Sequence, residues 1–306
     1  MTPKYSIIIP VYNSDKSLKI LTGKIDDLFE NTIKEAYELI FVDDCSSMAE
    51  TWLTLKDLAK RPNVMSIRLS RNYGQQSATL CGLTQAKGEF HITLDDDLQH
   101  SVEDIPKLIE QQDHDIVVAQ FKDKKHTILN KLTSSVADWF ISKITGKPRG
   151  IRLTSFRLVH HSVSKALIQM NTPFPFLGAM FFTITCDIVN VICDHDHRKE
   201  GKSGYTFRKR LMYFSNLIIN NSTFLLSSVG LMGILISIFS FLYGAWLVLR
   251  YLLYNSPVHG WTSVMVATLV IGGMILFTLG VIGEYLLRLM YSGEKRPPYV
   301  IRRKID

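Results

Sequence analysis

The last third of the chain contains two long stretches that carry no charged side chain. They cover residues 224–249 and 263–283, and neither holds an Asp, Glu, Lys or Arg. A helix needs roughly 20 apolar residues to cross the hydrocarbon core of a bilayer, and both stretches meet that length. The alternative is a pair of buried core helices, which are normally shorter and include some polar residues. The sequence therefore predicts two transmembrane helices.

Lysine and arginine residues are concentrated on one side of these stretches. Six of them lie between residues 198 and 210 and six between residues 288 and 304, whereas the connection at residues 250–262 has a single Arg. Because basic residues mark the cytoplasmic side of a membrane protein, we expect both termini in the cytoplasm. These residues account for much of the net charge of +7, and we interpret them as residues that attract lipid headgroups. Nucleic-acid binding is not expected.

Residues 207–219, just before the first stretch, have the spacing of an amphipathic helix. Phe207, Leu211, Phe214 and Ile218 fall on one face of such a helix. This pattern is typical of a helix that lies in the membrane interface. An ordinary amphipathic helix packed on a soluble domain is the alternative.

Short apolar runs alternate with helical patterns through the first 120 residues. The run Tyr5–Val11 is apolar almost throughout, as a strand buried on both faces requires. The alternation predicts an α/β fold with a mainly parallel, doubly wound sheet. Further strands are predicted at residues 39–42, 64–69, 91–94 and 115–119, and helices at residues 18–29, 52–59, 77–86 and 105–109.

Polar residues follow four of the predicted strands. Ligands of a doubly wound sheet bind beyond the carboxyl ends of its strands, so these residues are expected to converge on one crevice. They are Tyr12-Asn13, Asp43-Asp44, Arg71-Asn72 and Asp95-Asp96-Asp97.

The acidic triplet Asp95-Asp96-Asp97 is the strongest chemical signal. Three adjacent carboxylates repel one another, and a bound divalent cation would offset that cost. Oxygen ligands of this kind suit Mg²⁺ or Mn²⁺. A solvated acidic turn is the alternative, and the second acidic pair at a neighbouring strand end favours the cation.

Several segments, in their order along the chain, resemble a known family. SIIIPVYN, FVDDCSS, RNYGQQ and LDDDLQ resemble the family-2 inverting glycosyltransferases, which have the GT-A fold. The segments RKEGKSGY, GEYL and EKRPPY narrow the resemblance to the polyprenyl-phosphate branch. That branch includes dolichol-phosphate mannose synthase and bacterial undecaprenyl-phosphate glucosyltransferases. The resemblance covers nearly the whole chain.

The resemblance implies a metal-dependent, inverting hexosyltransferase. The donor would be a UDP-, GDP- or dTDP-linked sugar and the acceptor a polyprenyl phosphate, with undecaprenyl phosphate favoured. The product would supply cell-surface glycan synthesis or modification. The protein would be a multi-pass protein of the bacterial inner membrane, with its catalytic domain and both termini in the cytoplasm. Its transmembrane helices could also form the contacts of a homo-oligomer.

The resemblance also implies roles for individual residues. Asp95 and Asp97 match the family's DxD pair, with Asp97 and Gln99 facing the Mg²⁺ or Mn²⁺, whereas Asp96 receives no ligand role. The residues assigned to the donor are Pro10, Tyr12, Asp43 and Asp44 around the base and ribose, and Arg198 and Lys202 over the phosphates.

Ser155 is a departure from the family pattern, because relatives often carry an Asp before Phe-Arg. A serine is not a useful base at neutral pH. A phosphate acceptor has a second pKa of about 6, is already largely ionised and needs no base. Arg157, two residues further on, is the candidate for contacting the acceptor phosphate. Cys45 and Met48 are further departures, which affect the base pocket.

Three other interpretations are less favoured. A synthase-type glycosyltransferase with a sugar acceptor usually carries a QxxRW motif, and no tryptophan here follows an Arg. A non-catalytic scaffold that binds nucleotide-sugar would not need the acidic triplet. Residues 193–197 (CDHDH) have the composition of a zinc site, but their alternation equally suits a strand.

These observations divide the chain into four parts. Residues 1–205 form the cytoplasmic GT-A domain, residues 206–222 the amphipathic helix, residues 223–290 the two-helix transmembrane domain and residues 291–306 a basic cytoplasmic tail.

Overall fold

A computed structural model describes residues 2–121, 150–193 without 171 and 174, 260–293 and 297–306, with isolated residues between 235 and 253. The chain forms two compact units. The first comprises Met1–Tyr213 and Lys295–Asp306, and the second comprises Phe214–Glu294.

The described part of the first unit contains eight strands and six α-helices. The strands are β1 (Tyr5–Val11), β2 (Tyr37–Asp43), β3 (Val64–Leu69), β4 (Phe90–Thr93), β5 (Ile116–Phe121), β6 (Arg157–His160), β7 (Ile188–Cys193) and β8 (Ile301–Ile305). The helices are α1 (Lys16–Asp27), which continues as a π-helical turn (Leu28–Ile33), α2 (Ala49–Leu58), α3 (Gln75–Gln85), α4 (Ile105–Ile109), α5 (His161–Gln169) and α6 (Leu177–Ile184).

All eight strands belong to one mixed sheet in the order β7-β5-β6-β4-β1-β2-β3-β8. β1 pairs in parallel with β2 and β4, and β2 pairs in parallel with β3. β6 and β8 are antiparallel to their neighbours. The predicted α/β fold is therefore confirmed with parallel strands at its centre, but the sheet is mixed where a mainly parallel one was expected. Its first five strands lie within two residues of their predicted bounds.

The sheet is buried on both faces because side chains of successive strand residues alternate between two apolar cores. Ile7 and Ile9 of β1 belong to one core, and Ile8 belongs to the other. α3 covers the second face closely, since a Cβ at Gly82 would lie 2.3 Å from Ile8 Cγ2. This packing fixes the direction of α3, whose first residues lie at the carboxyl ends of the strands.

His91 of β4 is a buried histidine held in one tautomer. Its Nε2 lies 3.1 Å from the carbonyl oxygen of Gly88, which can only accept, so Nε2 carries the proton. Its Nδ1 lies 2.8 Å from Ser164 Oγ and accepts from that hydroxyl. Burial lowers the pKa of His91 to about 4, and the nearby His160 and His161 add to the effect.

This pKa predicts a loss of stability in mild acid. The folded state keeps His91 neutral, whereas an unfolded histidine takes up a proton near pH 6.5. The contribution is therefore complete above pH 6.5 and is lost as the pH falls towards 4, by up to about 1.4 kcal/mol per pH unit. Urea unfolding across this range should show a shallower pH dependence for His91→Gln than for the unsubstituted protein. Equal dependences would contradict the assignment.

The described part of the second unit contains one long helix, α7 (Trp261–Gly293). Within the described residues, no helix combines the length and mean hydropathy required of a membrane span. The first predicted stretch, residues 224–249, lies outside the described residues apart from isolated positions, and so does the amphipathic helix at 207–219.

Residues 301–305, which the sequence places in a basic tail, form β8 at the edge of the sheet. Tyr299 and Ile301 also pack against the second core. The end of the chain is therefore part of the first unit.

Candidate active site

The loops after the first four strands share an unusual backbone feature. Each contains a residue with positive φ: Asn13 at 56°, Cys45 at 57°, Gly74 at 91° and Leu98 at 59°. Left-handed conformations are uncommon for residues other than glycine, and they persist where surrounding contacts hold them. Such contacts are present in all four loops, and they bring the four strand ends together.

The β1 and β2 loops are joined through Asn13. Its backbone N–H donates to Ser46 Oγ at 2.9 Å. Its side-chain oxygen accepts from the backbone N–H of Ser47 at 2.9 Å and of Met48 at 3.2 Å. The left-handed backbone of Asn13 is therefore stabilised by three hydrogen bonds to the neighbouring loop.

Asp43 is held inside the protein. It is fully buried, and its Oδ1 accepts from the backbone N–H of Ser46 at 2.8 Å. Its Oδ2 lies 3.2 Å from Nε of Arg68. Arg68 also donates to the carbonyl oxygen of Ser46 at 3.0 Å and lies over the ring of Trp52. Asp43, predicted to bind the nucleotide, thus supports the loop through Ser46 and Arg68.

Asp44 is the acidic residue next to it and lies in a backbone cradle. Its two carboxylate oxygens accept from the N–H of Tyr73 at 2.7 Å and of Gly74 at 2.8 Å. Burial raises the pKa of Asp44, and these two hydrogen bonds oppose the rise. Gly74 has φ 91° and ψ 156°, a conformation that is essentially restricted to glycine. The cradle therefore depends on glycine at position 74.

Asp95, the first residue of the triplet, points towards α3 and the segment before β6. Its Oδ1 accepts from Gln75 Nε2 at 2.6 Å, and its Oδ2 accepts from Ser155 Oγ at 2.8 Å. Burial raises the pKa of Asp95, whereas His100 and Ser155 lower it. Ser155 is therefore a hydrogen-bond donor to Asp95, a predicted catalytic residue, and lies within the site.

His100 supports the same turn from below. Its ring is stacked between Phe121 and Phe156, with ring centroids 5.4 and 5.3 Å away. Its Nδ1 accepts from the backbone N–H of Asp95 at 3.1 Å, so Nε2 carries the proton in the neutral ring. This places Nε2 3.9 Å from the Asp95 carboxylate. Sequence reasoning did not assign a role to His100.

Asp96 was given no ligand role, and the structure shows what it does instead. Its Oδ2 accepts from Ser14 Oγ at 2.6 Å and from the backbone N–H of Tyr12 at 3.2 Å. Burial raises the pKa of Asp96 to about 6, although these two hydrogen bonds oppose the rise. The middle residue of the triplet thus ties the end of β4 to the end of β1.

Asp97 and Gln99 complete the turn, and the Gln99 backbone N–H donates to Asp97 Oδ1 at 3.1 Å. Among the described residues, no three His, Cys, Asp or Glu side chains are arranged to enclose a metal ion. Mg²⁺ seldom needs such a cage, since it usually takes one or two carboxylates and completes its shell with water and substrate phosphates. The carboxylates of Asp95 and Asp97, on one tight turn, fit an open site of this kind.

Pro10, Tyr12 and Arg157 occupy different depths. Pro10 lies within β1, and Tyr12 beyond it has a side chain that is 51% exposed. Arg157 is only 3% exposed; its Nε donates to Thr93 Oγ1 at 3.3 Å and its guanidinium lies over the ring of Phe181. Tyr12 is therefore accessible at the end of β1, whereas Arg157 is buried.

The remaining predicted residues follow β7 along the chain. Arg198 and Lys202 lie outside the described residues, as does most of the segment at residues 193–197. Its first residue, Cys193, is the last residue of β7 and is buried in the core. The alternative of a strand at this point holds for Cys193.

The chain matches one family model and several named proteins. Residues 6–167 match the family described as glycosyl transferase family 2. The chain is 28% identical to the undecaprenyl-phosphate 4-deoxy-4-formamido-L-arabinose transferase of Photorhabdus laumondii, over 99% of this chain and 94% of that protein. It is 29% identical to the prophage bactoprenol glucosyl transferase homolog of Escherichia coli, over 98% and 99% of the two chains. It is 28% identical to the bactoprenol glucosyl transferase of Shigella phage SfV, over 98% and 99%.

Proposed function

The chain belongs to glycosyl transferase family 2, and on that premise we propose that it transfers a sugar from a nucleotide-sugar to a polyprenyl phosphate with inversion at the anomeric carbon. One observation carries the proposal: the carboxylates at the ends of β2 and β4 lie in one hydrogen-bonded set of loops. Relatives that match nearly the whole chain and are named for undecaprenyl phosphate or bactoprenol support the choice of acceptor.

The donor binds along the loops after β1, β2 and β3 in this proposal. Tyr12 offers an exposed aromatic ring, and the buried Asp44 is fixed after β2 by the N–H groups of Tyr73 and Gly74. Fixed groups of this kind lose little freedom when a nucleotide binds, and this favours affinity. Arg198 and Lys202 remain the proposed partners of the diphosphate.

Asp95, Asp97 and Gln99 are the proposed ligands of Mg²⁺ or Mn²⁺. When bound, the cation would neutralise charge on the diphosphate leaving group. Asp95 is aligned for this by Gln75 and Ser155, whose hydrogen bonds fix both of its oxygens. In this proposal, these residues therefore assist the departure of the nucleoside diphosphate.

The acceptor side needs no side-chain base. A phosphate monoester has a second pKa of about 6 and is largely a dianion at neutral pH. Ser155, at the position where relatives often have an Asp, donates a hydrogen bond to Asp95 and so orients that carboxylate. The departure from the family pattern is therefore compatible with a phosphate acceptor.

Ser155→Ala is expected to slow turnover only modestly. The change removes one hydrogen bond to Asp95, which typically contributes about 1 kcal/mol and corresponds to roughly a fivefold loss of kcat. A general base would contribute about 100-fold or more. Steady-state kinetics of the variant separates the two cases. A loss as large as that of Asp97→Asn would contradict the base-free mechanism.

We place the protein in the bacterial inner membrane, with two transmembrane helices at residues 224–249 and 263–283. The proposal rests on the absence of charge in both stretches and on the basic residues that flank them. The catalytic unit and both termini are then cytoplasmic, so that the site meets the phosphate of a membrane lipid.

Cysteine labelling tests this topology. His259→Cys places a thiol in the short connection between the stretches, and Thr2→Cys places one near the amino terminus. In sealed cells an impermeant maleimide should label the first variant, whereas the second should react only after the cells are opened. The unsubstituted protein, which has four cysteines of its own, is the control. Labelling of Thr2→Cys in sealed cells would contradict the topology.

Donor turnover distinguishes the enzyme from a scaffold that only binds nucleotide-sugar. The purified protein is incubated with UDP-, GDP- and dTDP-linked sugars, with and without undecaprenyl phosphate, in the presence of Mg²⁺ or Mn²⁺. Release of nucleoside diphosphate that depends on the lipid phosphate is the expected result. Binding of a donor without release in any mixture would support the scaffold instead.

A further inference from the structure

The end of the chain pairs with the strand that leads into the donor side of the site. β8 runs antiparallel to β3, with Ser66 opposite Ile305 and Arg68 opposite Arg303. The register shifts between Arg68 and Leu69, because Leu69 lies opposite Ile301 and Arg302 is an extra residue on β8. Bulges of this kind bend a strand and re-aim its side chains, and they are common next to active sites.

The bulge lies opposite Arg68, whose side chain contacts the β2 loop. The Arg68 guanidinium is 3.2 Å from Asp43 and donates to the Ser46 carbonyl oxygen at 3.0 Å. Asp43 and Ser46 in turn hold the left-handed turn that carries Asp44 and Cys45. The pairing with β8 therefore sets the position of a residue that supports Asp44 from one side.

A second contact supports Asp44 from the other side. The backbone N–H of Ser70, directly after β3, donates to the carbonyl oxygen of Val300 at 2.8 Å. Ser70 begins the loop whose Tyr73 and Gly74 N–H groups bind the Asp44 carboxylate. Arg68, which supports the β2 loop, and Ser70, which begins the loop with the Asp44 cradle, are thus both attached to residues 300–303.

Side chains of the same segment fix it to the sheet and to α3. Tyr299 and Ile301 pack against the same core as Tyr73. The Tyr299 hydroxyl donates to Thr84 Oγ1 at 3.0 Å. Residues 299–305 therefore contact β3, α3 and the loop between them.

We propose that residues 299–305, here called the C-terminal clamp, are a positioning element of the donor site. The clamp touches no substrate; it holds Arg68 and the Ser70–Gly74 loop so that Asp44 is presented to the nucleotide. Because the clamp follows the second unit along the chain, the donor site of this proposal includes support from residues beyond that unit. This inference rests on the proposed role of Asp44 in donor binding.

Two isoleucines of β8 give a matched pair of variants. Ile301 and Ile305 are both partly buried, but Ile301 lies opposite Leu69 at the site end of β3 and Ile305 lies opposite Ser66 at the far end. Ile301→Ala should loosen the donor loop, whereas Ile305→Ala should loosen only the distant end. Ile→Val at each position is the milder pair if an alanine variant fails to fold.

The readout is the affinity of the full-length protein for nucleoside diphosphates. UDP, GDP and dTDP are titrated by calorimetry with Mg²⁺ or Mn²⁺ present, and the best-bound one is used throughout. Ile301→Ala should raise its Kd about fivefold to tenfold, the loss expected from one weakened contact, while Ile305→Ala stays within about twofold. The KM for donor should rise with Kd, and the KM for undecaprenyl phosphate should stay constant.

The outcomes separate the clamp from the function on which it rests. Equal effects of the two alanine variants on Kd would show general loosening of the sheet and would overturn the clamp. An unchanged Kd in Ile301→Ala, in a protein that binds the nucleotide normally before substitution, would overturn the clamp alone. If the unsubstituted protein binds none of the three nucleotides, the proposed donor site fails and the clamp fails with it.

Discussion

Asp97→Asn is expected to abolish sugar transfer while the protein remains folded. The asparagine keeps the size of the side chain but removes the charge that the proposed Mg²⁺ or Mn²⁺ site requires. Groups that stabilise charge developing on a leaving group typically account for roughly 100-fold or more of the rate. Turnover at saturating donor and acceptor, measured across a range of Mn²⁺ concentrations, tests the prediction.

Asp113→Asn is the matched control, because Asp113 is an exposed carboxylate before β5 and outside the loops that follow β1–β4. It should retain the activity of the unsubstituted protein. Thermal unfolding should be similar for both variants. Full activity of Asp97→Asn, or full activity of the unsubstituted protein in EDTA, would contradict the metal assignment.

Arg157→Ala is expected to have the second-largest effect. Burial lowers the pKa of Arg157 to about 10, and Asp95 opposes the shift, so the guanidinium stays charged at neutral pH beneath the acidic turn. Removing this charge leaves Asp95 less compensated and opens a space against Phe181. We expect a fall in kcat of roughly 100-fold or more.

Two further variants distinguish a loss of kcat caused by the missing charge from one caused by lower stability. Arg157→Lys keeps the charge but not the planar stacking on Phe181, and it should recover part of the activity. Arg61 makes two hydrogen bonds of 2.7 Å to Asp26 away from the strand ends, so Arg61→Ala should lower the unfolding temperature without lowering kcat. A similar kcat in Arg157→Ala and Arg61→Ala would contradict a role for Arg157 in the site.

The strands of the central sheet were predictable because a strand buried on both faces is a nearly continuous run of apolar residues. Tyr5–Val11 and Val64–Leu69 have the bounds that the apolar runs indicate. The strand order βαβ then brings the polar residues after each run to one edge. The hydrogen bonds of Asn13 to Ser47, of Asp44 to Tyr73 and of Asp96 to Ser14 at that edge are therefore the expected consequence of the pattern.

The different hydrogen-bond partners of the three aspartates in the acidic triplet were not predictable. Three consecutive aspartates look alike in sequence, but the turn directs Asp95 towards Gln75 and Ser155 and Asp96 towards Ser14. The turn that follows has a left-handed backbone at Leu98. A leucine gives no signal for that conformation, whereas a glycine would have done.

Cys45 is a second residue whose left-handed backbone could not be predicted from the sequence. It departs from the family pattern near the base pocket, and it adopts φ 57° with its thiol near the Ser70 carbonyl oxygen. Surrounding hydrogen bonds at Asp43 and Asp44 hold the conformation that glycine would adopt freely.

β8 was missed because its sequence, IRRKI, is mostly charged. Edge strands of natural sheets commonly carry Lys and Arg, which discourage pairing with other chains. The weak signal that remained was the pair Ile301 and Ile305, both of which pack against the cores. Their role became visible only when the partner strand β3 was known.

The central claim is that the acceptor is a lipid phosphate, and the structure of the product tests it most directly. The purified full-length protein is given its nucleotide-sugar with either undecaprenyl phosphate or undecaprenol, and the lipids are analysed by mass spectrometry and ³¹P NMR. We predict one added sugar on the phosphate lipid, joined through a phosphodiester of inverted anomeric configuration, and no sugar on the alcohol. Transfer to undecaprenol, or donor turnover without any sugar on the lipid phosphate, would contradict the account.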